Sequence, residues 1–270
     1  MKISATIITF NEEENIKAAC ESVDWADEIV VVDSNSCDAT REIAAACGAR
    51  VIVNPWPGFG AQKQFAVEQA QNDWIFSLDA DERVSEELRL NFEKLINSAH
   101  PEADPQGYLI SRRTFYQQRW IRGGGWYPDK QLRLFNRTKG RWKQRHIHES
   151  VSMEEGARVG ELPGDLLHYT SPNAAHHHRM IGERYAPLSA QQMFEEGRRT
   201  SIFGVASAGP AAFIRSYILK GGFRDGLAGF TIASFAAHHA FLKHLMLWEK
   251  QTADHAADHL DKTEKNNARP

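Results

Sequence analysis

Cysteine is scarce in this 270-residue sequence, which contains only Cys20, Cys37 and Cys47. Three cysteines without a regular spacing match neither a disulfide framework nor the paired cysteines of a structural zinc site. We therefore expect the three side chains to be small buried apolar groups in a reducing compartment.

Long hydrophobic runs are also lacking. The first ten residues have no extended apolar stretch of the kind found in secretory signals, and acidic residues follow at once. In the apolar stretch 227–247, one lysine and three histidines interrupt the run, so it falls short of an unbroken span of about 20 residues. The sequence predicts a cytoplasmic protein without a transmembrane helix.

Neither sign of charge predominates in the whole chain, because the net charge is only -3. The charged residues are nevertheless unevenly distributed along the sequence. Residues 1–100 carry 8 basic and 18 acidic residues, whereas residues 101–150 carry 11 basic and 4 acidic ones. The composition, with 42% hydrophobic and 25% charged residues, excludes collagen-like and mostly disordered chains. A basic segment directly after an acidic one indicates a site for an anionic ligand.

Strand-like and helix-like segments alternate in the first hundred residues. The segments KISATIIT, EIVVVD, RVIV and WIFSL predict strands, and helical patterns separate them. This alternation predicts an α/β fold with a mixed, mostly parallel sheet flanked by helices. Short alternating strands follow around Gly123–Gly125, and a helical stretch opens near Ser171, a candidate N-cap before Pro172.

Acidic residues stand at the ends of two predicted strands, namely Asp33 after the second, and Asp79 and Asp81 after the fourth. Ligands of parallel sheets bind beyond the carboxyl ends of the strands. Two carboxylates two positions apart can hold Mg²⁺ or Mn²⁺, which keeps coordination sites open for substrate phosphates. The alternative is a turn with two solvated acids.

Three motifs, SATIITFNEEENI, EIVVVDSNSCDAT and WIFSLDADERV, occur in an order that resembles the nucleotide-binding half of glycosyltransferase family 2. The resemblance covers roughly residues 1–150. It implies the GT-A fold, a nucleotide-sugar donor, a divalent cation and transfer with inversion. It further implies a segmentation into a donor half (1–100), an acceptor half (101–170), a helical extension (171–250) and a polar tail (251–270).

The resemblance also implies roles for individual residues. Thr9, Phe10 and Glu12 would line the nucleobase pocket, and Asp33 would accept a hydrogen bond from uracil. Lys63 would lie near the donor, Asp79 near the ribose and the metal, and Asp81 on the metal. For Phe10 the alternative is core packing, and for Glu12 it is an acid favoured at a helix start.

An inverting transferase needs a general base for the acceptor hydroxyl. The family places it in the second half of the domain, where Glu149 in RHIHE is the first candidate and Asp129 the second. Relatives often carry a different acidic pair there, so a structural salt bridge by Glu149 stays an alternative. His148 is a candidate third metal ligand, with a hydrogen-bonded scaffold histidine as the alternative.

Residues 112–145 interleave arginines with large aromatic side chains. Such a mixture suits either a nucleic-acid surface or an anionic sugar site. The acidic remainder of the chain would repel a polyanion, so we expect no nucleic-acid partner. Arg133 and Arg137 are the predicted phosphate or acceptor contacts, because the guanidinium fork matches phosphate oxygens.

The segments WYPDKQLRLFNR, HIHES and GGFRDGLAGF are similar to those of lipopolysaccharide-core β-1,4-glucosyltransferases. This likeness implies transfer of a hexose, glucose from UDP-glucose, to an inner-core heptose. Alternatives are transfer to another lipid-linked or cell-surface sugar, a metal-dependent nucleotidyltransferase, and a non-catalytic sugar-nucleotide-binding protein. The nucleotidyltransferase would normally carry a glycine-rich basic loop near its first strand, where this chain has TFNEEEN.

The predicted C-terminal helices between Ala211 and Trp248 are net basic and carry apolar residues at helical spacing. An amphipathic helix with a basic polar face binds anionic lipid. The sequence therefore predicts peripheral contact with the inner face of the cytoplasmic membrane. The alternative is that these helices only pack on the catalytic domain.

Overall fold

In the computed structural model, the described residues are 1–98, 105–143, 149–169 and 173–267. They form two compact units. The first, the α/β unit, comprises the described residues of Met1–Ile121 and Trp126–Thr170. The second, the helical unit, comprises those of Arg122–Gly125 and Ser171–Pro270.

The α/β unit contains eleven strands among the described residues, and the first four alternate with helices as predicted. They are β1 (Ile3–Thr9), β2 (Glu28–Asp33), β3 (Arg50–Val53), β4 (Trp74–Asp79), β5 (Glu82–Val84), β6 (Gly107–Tyr116), β7 (Arg119–Trp120), β8 (Asp129–Asn136), β9 (Gly140–Trp142), β10 (Val151–Met153) and β11 (Val159–Tyr169).

Within the described residues, nine of these strands form one mixed sheet in the order β3-β2-β1-β4-β8-β6-β11-β5, with β7 paired to β6. The pairs among β3, β2, β1 and β4 are parallel, as is β6 with β11, whereas β8 is antiparallel to both its neighbours. Strands β9 and β10 form a separate antiparallel pair. The predicted α/β fold with a mixed sheet is thus confirmed, and the parallel part brings the ends of β1, β2 and β4 to one edge.

Four helices belong to the α/β unit, namely α1 (Ile16–Glu21), α2 (Thr40–Ala46), α3 (Phe59–Gln69) and α4 (Glu86–Ser98). The main core contains fully buried side chains from β1 and β4, such as Ile7 and Phe76, packed with Phe92 of α4. Trp25 stacks on Phe92 with ring centroids 4.4 Å apart. Burial of this apolar area from both faces of the parallel strands explains their continuous hydrophobic runs.

The helical unit contains α5 (Ala174–Arg179), α6 (Ala186–Glu195), α7 (Ile202–Ile214) and α8 (Gly226–Asn267). Wider π-helical turns cover Met180–Tyr185 and Arg215–Leu219, and a 3₁₀ turn covers Gly222–Asp225. The predicted helical C-terminal region is thus confirmed. Helix α8 continues to Asn267, through the segment that the sequence assigns to a polar tail.

Three local expectations need correction. Of the three cysteines expected to be buried, Cys20 is buried, Cys47 is partly exposed and Cys37 is exposed.

The first helix of the helical unit is capped by Asn173, whose side chain accepts a hydrogen bond from the His176 amide, and Ser171 lies outside the described residues. The segment Ile202–Leu219 is long and apolar enough to cross a membrane by length and composition, although the sequence predicts no such helix. Only 11% of it is buried. A search for unbroken runs misses it because Arg215 lies within it.

Gly164 in β11 provides a test of the packing between the sheet and α4. Its φ is +102°, and a Cβ there would lie 2.5 Å from the Leu88 amide nitrogen. We expect Gly164→Ala to lower the free energy of unfolding by about 3 kcal/mol, through backbone strain plus overpacking. Urea denaturation measures the loss.

The matched control is Gly156→Ala, because Gly156 also has a positive φ, +83°, but a Cβ added to it would have no neighbouring atom within 4 Å. Backbone strain alone costs about 1 kcal/mol there. Equal losses in the two variants would contradict the proposed clash with α4.

Candidate functional site

The loops after β1 and β2 are joined by side-chain hydrogen bonds. The Asn11 amide donates to Ser36 Oγ at 2.8 Å, and the Glu12 amide donates to Thr40 Oγ1 at 2.8 Å. Asp33, the last residue of β2, has no exposed surface. Its carboxylate accepts hydrogen bonds from the amide and hydroxyl of Ser36. The predicted uracil acceptor is therefore engaged inside the protein.

The three residues predicted for the nucleobase pocket lie together at the end of β1. Thr9 is buried and its Oγ1 has no hydrogen-bond partner among the described residues, whereas the ring of Phe10 is 56% exposed. Burial raises the pKa of Glu12, a hydrogen bond from Asn15 opposes this, and the charge of Asp81 raises it further. The exposure of Phe10 disagrees with simple core packing and leaves its ring open to a flat ligand.

Lys63 of α3 links two predicted site residues. Its ammonium is 2% exposed and lies 2.9 Å from Asp79 Oδ1 and 3.1 Å from Glu149 Oε1. The same nitrogen lies 4.9 Å from the ring centroid of Trp142, which adds a cation–π contact. Helix α3 thus places Lys63 between the end of β4 and Glu149, and the alternative of a salt bridge by Glu149 is observed.

A second cation reaches Asp79 from β8. The Nη2 atom of Arg133 lies 3.2 Å from Asp79 Oδ2 and 2.7 Å from Glu82 Oε1. Glu82 has no exposed surface, and its other oxygen accepts the Asp79 amide at 3.0 Å. The Nη1 atom of Arg133 is buried without a hydrogen-bond partner among the described residues.

These contacts fix the protonation of the network. Burial by itself raises the pKa of Asp79, but the charges of Lys63 and Arg133 outweigh it and hold that pKa well below its ordinary range. Burial lowers the pKa of Arg133, and Glu82 and Asp79 more than reverse this. The carboxylate is therefore ionised and the guanidinium is protonated at neutral pH.

Asp129, the second candidate base, is held at the start of β8. Its Oδ2 accepts hydrogen bonds from Nε and Nη2 of Arg112 at 2.9 and 2.7 Å, and its Oδ1 accepts one from Gln131 at 2.7 Å. Both oxygens already have strong donors. Of the two candidates, Glu149 contacts the cluster around Asp79, and Asp129 contacts Arg112.

Asp81 has different surroundings from Asp79. Its Oδ2 lies 3.2 Å from Nε2 of His168 on β11, and both side chains are partly exposed. The other ring nitrogen of His168 lies 3.4 Å from Thr114 Oγ1, which fixes the orientation of the ring. The described residues contain no group of three His, Cys, Asp or Glu arranged around a metal position.

Arg137 and His148 are not brought into this cluster. Arg137 donates to the carbonyls of Val67 and Ala70 at the end of α3 and pairs with Asp73 at 3.4 Å, so it caps a helix. His148 lies outside the described residues.

The predicted set lacks two residues of the site, Glu82 and His168. Glu82 directly follows Asp81. The signal in the sequence is therefore a further acidic residue next to the two acids at the end of the strand. His168 lies in the segment GDLLHY, which does not alternate regularly and which the sequence pattern alone does not identify as a strand. Its position opposite Glu82 and Thr114 depends on the pairing of β11 with β5 and β6.

The arrangement can hold an anionic ligand near a proton acceptor. Two buried cations, Lys63 and Arg133, contact Asp79 at the end of β4. Asp81 forms a carboxylate–imidazole pair with a histidine on β11, and Lys63 also binds the separate carboxylate of Glu149. Buried, pre-positioned charges of this kind stabilise charge that develops during a reaction.

A family model described as "Glycosyl transferase family 2" matches residues 4–157. Lipopolysaccharide core biosynthesis glycosyltransferase LpsC of Rhizobium meliloti is 32% identical over 261 residues, which cover 93% of each chain. An uncharacterized glycosyltransferase of Rickettsia typhi is 30% identical over 252 residues, which cover 90% of this chain and 85% of the relative.

Two solved structures are similar at low identity. Residues 1–349 of S. aureus TarS in complex with UDP-GlcNAc match with a TM-score of 0.46, 14% identity and 90% coverage of each chain. Glucosyl-3-phosphoglycerate synthase from Mycobacterium tuberculosis, in complex with Mn²⁺, UDP and phosphoglyceric acid, matches with a TM-score of 0.46 and 16% identity. That match covers 74% of this chain and 80% of the synthase.

Glu82 provides the test of the buried network. Glu82→Gln keeps the side-chain shape but removes the charge that faces Arg133 and Arg112, so two cations lose a buried partner. We expect the free energy of unfolding to fall by roughly 3 kcal/mol. Urea denaturation at neutral pH measures the change.

Glu161→Gln is the control, because the pair between Glu161 and Lys130 has the same 2.7 Å separation but is 61% and 44% exposed. An exposed pair contributes less than about 1 kcal/mol. If both variants lose equally little, the network around Glu82 does not stabilise the fold as described.

Proposed function

The chain belongs to glycosyl transferase family 2, and we propose that it transfers glucose from UDP-glucose to a heptose of the lipopolysaccharide inner core. It is a glycosyltransferase with a GT-A-type mixed sheet. The Rhizobium relative is named as a lipopolysaccharide core biosynthesis glycosyltransferase and covers 93% of this chain, which supports the choice of acceptor. The three motifs of the donor half support a uridine nucleotide.

The observation that carries the proposal is the position of Glu149. The carboxylate of Glu149 is partly exposed. The side-chain nitrogen of Lys63 contacts both this carboxylate and that of Asp79, at the edge where strands β1, β2 and β4 end. Transfer of a sugar needs a proton acceptor beside a site for a diphosphate. The contacts of Lys63 with both Asp79 and Glu149 support this arrangement.

The donor is held, in this proposal, by the loops after β1 and β2. Phe10 offers an exposed ring to the uracil, and Thr9 offers a hydroxyl that has no hydrogen-bond partner among the described residues. Asp33 holds Ser36 and is fully buried, so its carboxylate would have to become accessible before it could bind uracil. The Nη1 atom of Arg133, which has no partner in the described part of the chain, supports a role for this arginine near the phosphates.

Asp81 and His168 fit a divalent cation. Adjacent ligands of an octahedral ion with bonds of about 2.1 Å lie about 3 Å apart, and the two donor atoms are 3.2 Å apart. A histidine ligand suits Mn²⁺ better than Mg²⁺, whose ligands are mostly oxygens. A bound cation would supply charge stabilisation for the departing diphosphate. In this proposal Asp79 does not bind the divalent cation, because it stays paired with Lys63 and Arg133.

The proposed chemical step is a single displacement. The acceptor hydroxyl oxygen forms a bond to the anomeric carbon while the bond from that carbon to the diphosphate oxygen breaks. The hydroxyl proton passes to Glu149, and UDP leaves with the bonding electron pair. Lys63 positions Glu149, and its side-chain nitrogen also pairs with Asp79.

A panel of UDP-sugars and truncated lipopolysaccharides tests this function. We expect turnover with UDP-glucose and transfer to cores that end in inner-core heptose, with no transfer to cores that lack heptose. Transfer only to another lipid-linked sugar would replace the acceptor, and binding of UDP without any turnover would contradict the enzymatic role.

The base assignment leads to a comparison of two variants. Glu149→Gln keeps the shape but removes the proton acceptor, so we expect turnover to fall about 10²-fold or more while UDP affinity stays near that of the wild type. Asp129→Asn, whose carboxylate is already held by Arg112 and Gln131, should keep most of its turnover. The opposite pattern would exchange the two roles.

The metal assignment predicts that Asp81→Asn folds normally but loses most activity, since Asp81 is partly exposed and its carboxylate pairs with His168 rather than with the buried network. Rates of UDP-sugar turnover over a Mn²⁺ titration measure the loss. Asp73→Asn, at an exposed acid paired with Arg137, is the control and should behave as wild type. Full wild-type activity in EDTA would contradict a metal-assisted reaction.

A further inference from the structure

Helices α7 and α8 of the helical unit form an antiparallel pair. Gly209 of α7 is so close to α8 that a Cβ would lie 3.3 Å from the Ala237 carbonyl oxygen. Further along α7, Phe213 packs against Phe230 with ring centroids 5.6 Å apart. Because the contacts move forward on α7 and backward on α8, the helices run in opposite directions. They are joined by the turn that includes Gly222–Asp225.

Large apolar side chains are exposed along this pair and its turn. Of the fifteen exposed large hydrophobic side chains among the described residues, nine lie between residues 202 and 241, which is far above an even distribution. We call these nine the apolar face: Ile202, Phe203, Ile214, Ile218, Leu219, Phe223, Leu227, Phe230 and Phe241. Phe203 is 80% exposed, Leu219 76% and Leu227 75%. Exposed apolar patches of this size mark interaction surfaces.

The charges near the apolar face have one sign. Residues 201–247 contain one acidic residue, Asp225. It is fully buried, and its carboxylate accepts hydrogen bonds from the amides of Arg122 and Gly123 at 3.0 and 2.8 Å. Arg215, Lys220 and Arg224 are exposed. The surface that accompanies the apolar face therefore presents positive charge without an exposed carboxylate in this stretch.

We propose that the apolar face binds an anionic lipid bilayer and lies in the plane of the interface. Apolar side chains enter the boundary between headgroups and acyl chains, and neighbouring cations contact lipid phosphates. A soluble protein partner would need an apolar patch surrounded by acidic residues. An anionic bilayer offers apolar acyl chains and negatively charged phosphates over the whole of its surface. This surface does not depend on the identity of the donor or acceptor, so it goes beyond the proposed function.

The turn argues against a membrane-crossing hairpin. Gly124 donates its amide to the Lys220 carbonyl at 3.0 Å, and Ser216 donates to the Gly124 carbonyl at 2.9 Å, so Arg122–Gly125 is bound at the turn. A crossing hairpin would carry this segment to the far side. The chain on both sides of it would then pass through hydrocarbon, where unpaired backbone groups are costly. The helices therefore lie on the membrane.

Vesicle flotation of the full chain tests the proposal. We expect flotation with vesicles of phosphatidylglycerol and phosphatidylcholine, weaker binding in high salt because the cations are screened, and little binding to phosphatidylcholine alone. The double variant Phe203→Asp, Leu227→Asp should lower the partition coefficient at least tenfold, since two exposed side chains lose their burial in lipid. Its turnover of UDP-sugar in solution should equal that of the wild type.

Leu90→Asp is the matched control, since Leu90 is 50% exposed on α4 of the α/β unit. It should float as the wild type does. Circular dichroism and thermal unfolding check that every variant folds. The pair Lys220→Gln, Arg224→Gln should weaken binding to anionic vesicles, with Lys139→Gln as its exposed control.

Four results would contradict the proposal. The first is a wild-type chain that does not float with anionic vesicles, and the second is a double variant that floats as well as the wild type. The third is a wild-type dimer in solution that the double variant dissociates, because the apolar face would then bind a second copy. Resistance of the bound protein to alkaline carbonate extraction would contradict in-plane binding and indicate a crossing helix.

Discussion

The buried ion pair between Arg133 and Glu82 is the constraint on which the site depends. Both side chains are almost or fully inaccessible, and the 2.7 Å contact joins β8 to β5 behind the end of β4. Taking two charges out of water is costly, so such a pair persists only when further hydrogen bonds complete it. The Asp79 amide and carboxylate supply those bonds, and this fixes the loop from which Asp81 projects.

This constraint gives two neighbouring acids different chemistry. Asp79 lies between Lys63 and Arg133, which neutralise it, while Asp81 lies beyond them beside His168. Under the proposed function, a divalent cation would be repelled by the two buried cations and attracted by a carboxylate beside an imidazole. The same lysine that pairs with Asp79 also binds Glu149, so one side chain links Asp79 to the proposed base. We therefore propose that the two acids have separate roles and do not bind one ion together.

The sequence predicts the parts of this site that depend on local order along the chain. Asp33, Asp79 and Asp81 follow strands of the parallel half, and parallel strands bring their carboxyl ends to one edge. Residues that depend on antiparallel or long-range pairing are not predicted from the sequence. His168 reaches the site because β11 pairs with β5 and β6, which puts His168 opposite Glu82 and Thr114. Arg137 shows the converse, since its guanidinium caps α3 instead of joining the cluster. The basic block correctly indicates positive charge, but only the pairing of β8 with β4 decides which arginine enters the site.

A crystal structure of the protein with UDP and Mn²⁺ tests the proposed division of roles between the two acids. Anomalous scattering locates the manganese without ambiguity. We expect Asp81 and His168 to ligate the ion together with diphosphate oxygens, and Asp79 to keep its contacts with Lys63 and Arg133. Manganese bound to Asp79, with Lys63 or Arg133 displaced from that carboxylate, would contradict this division.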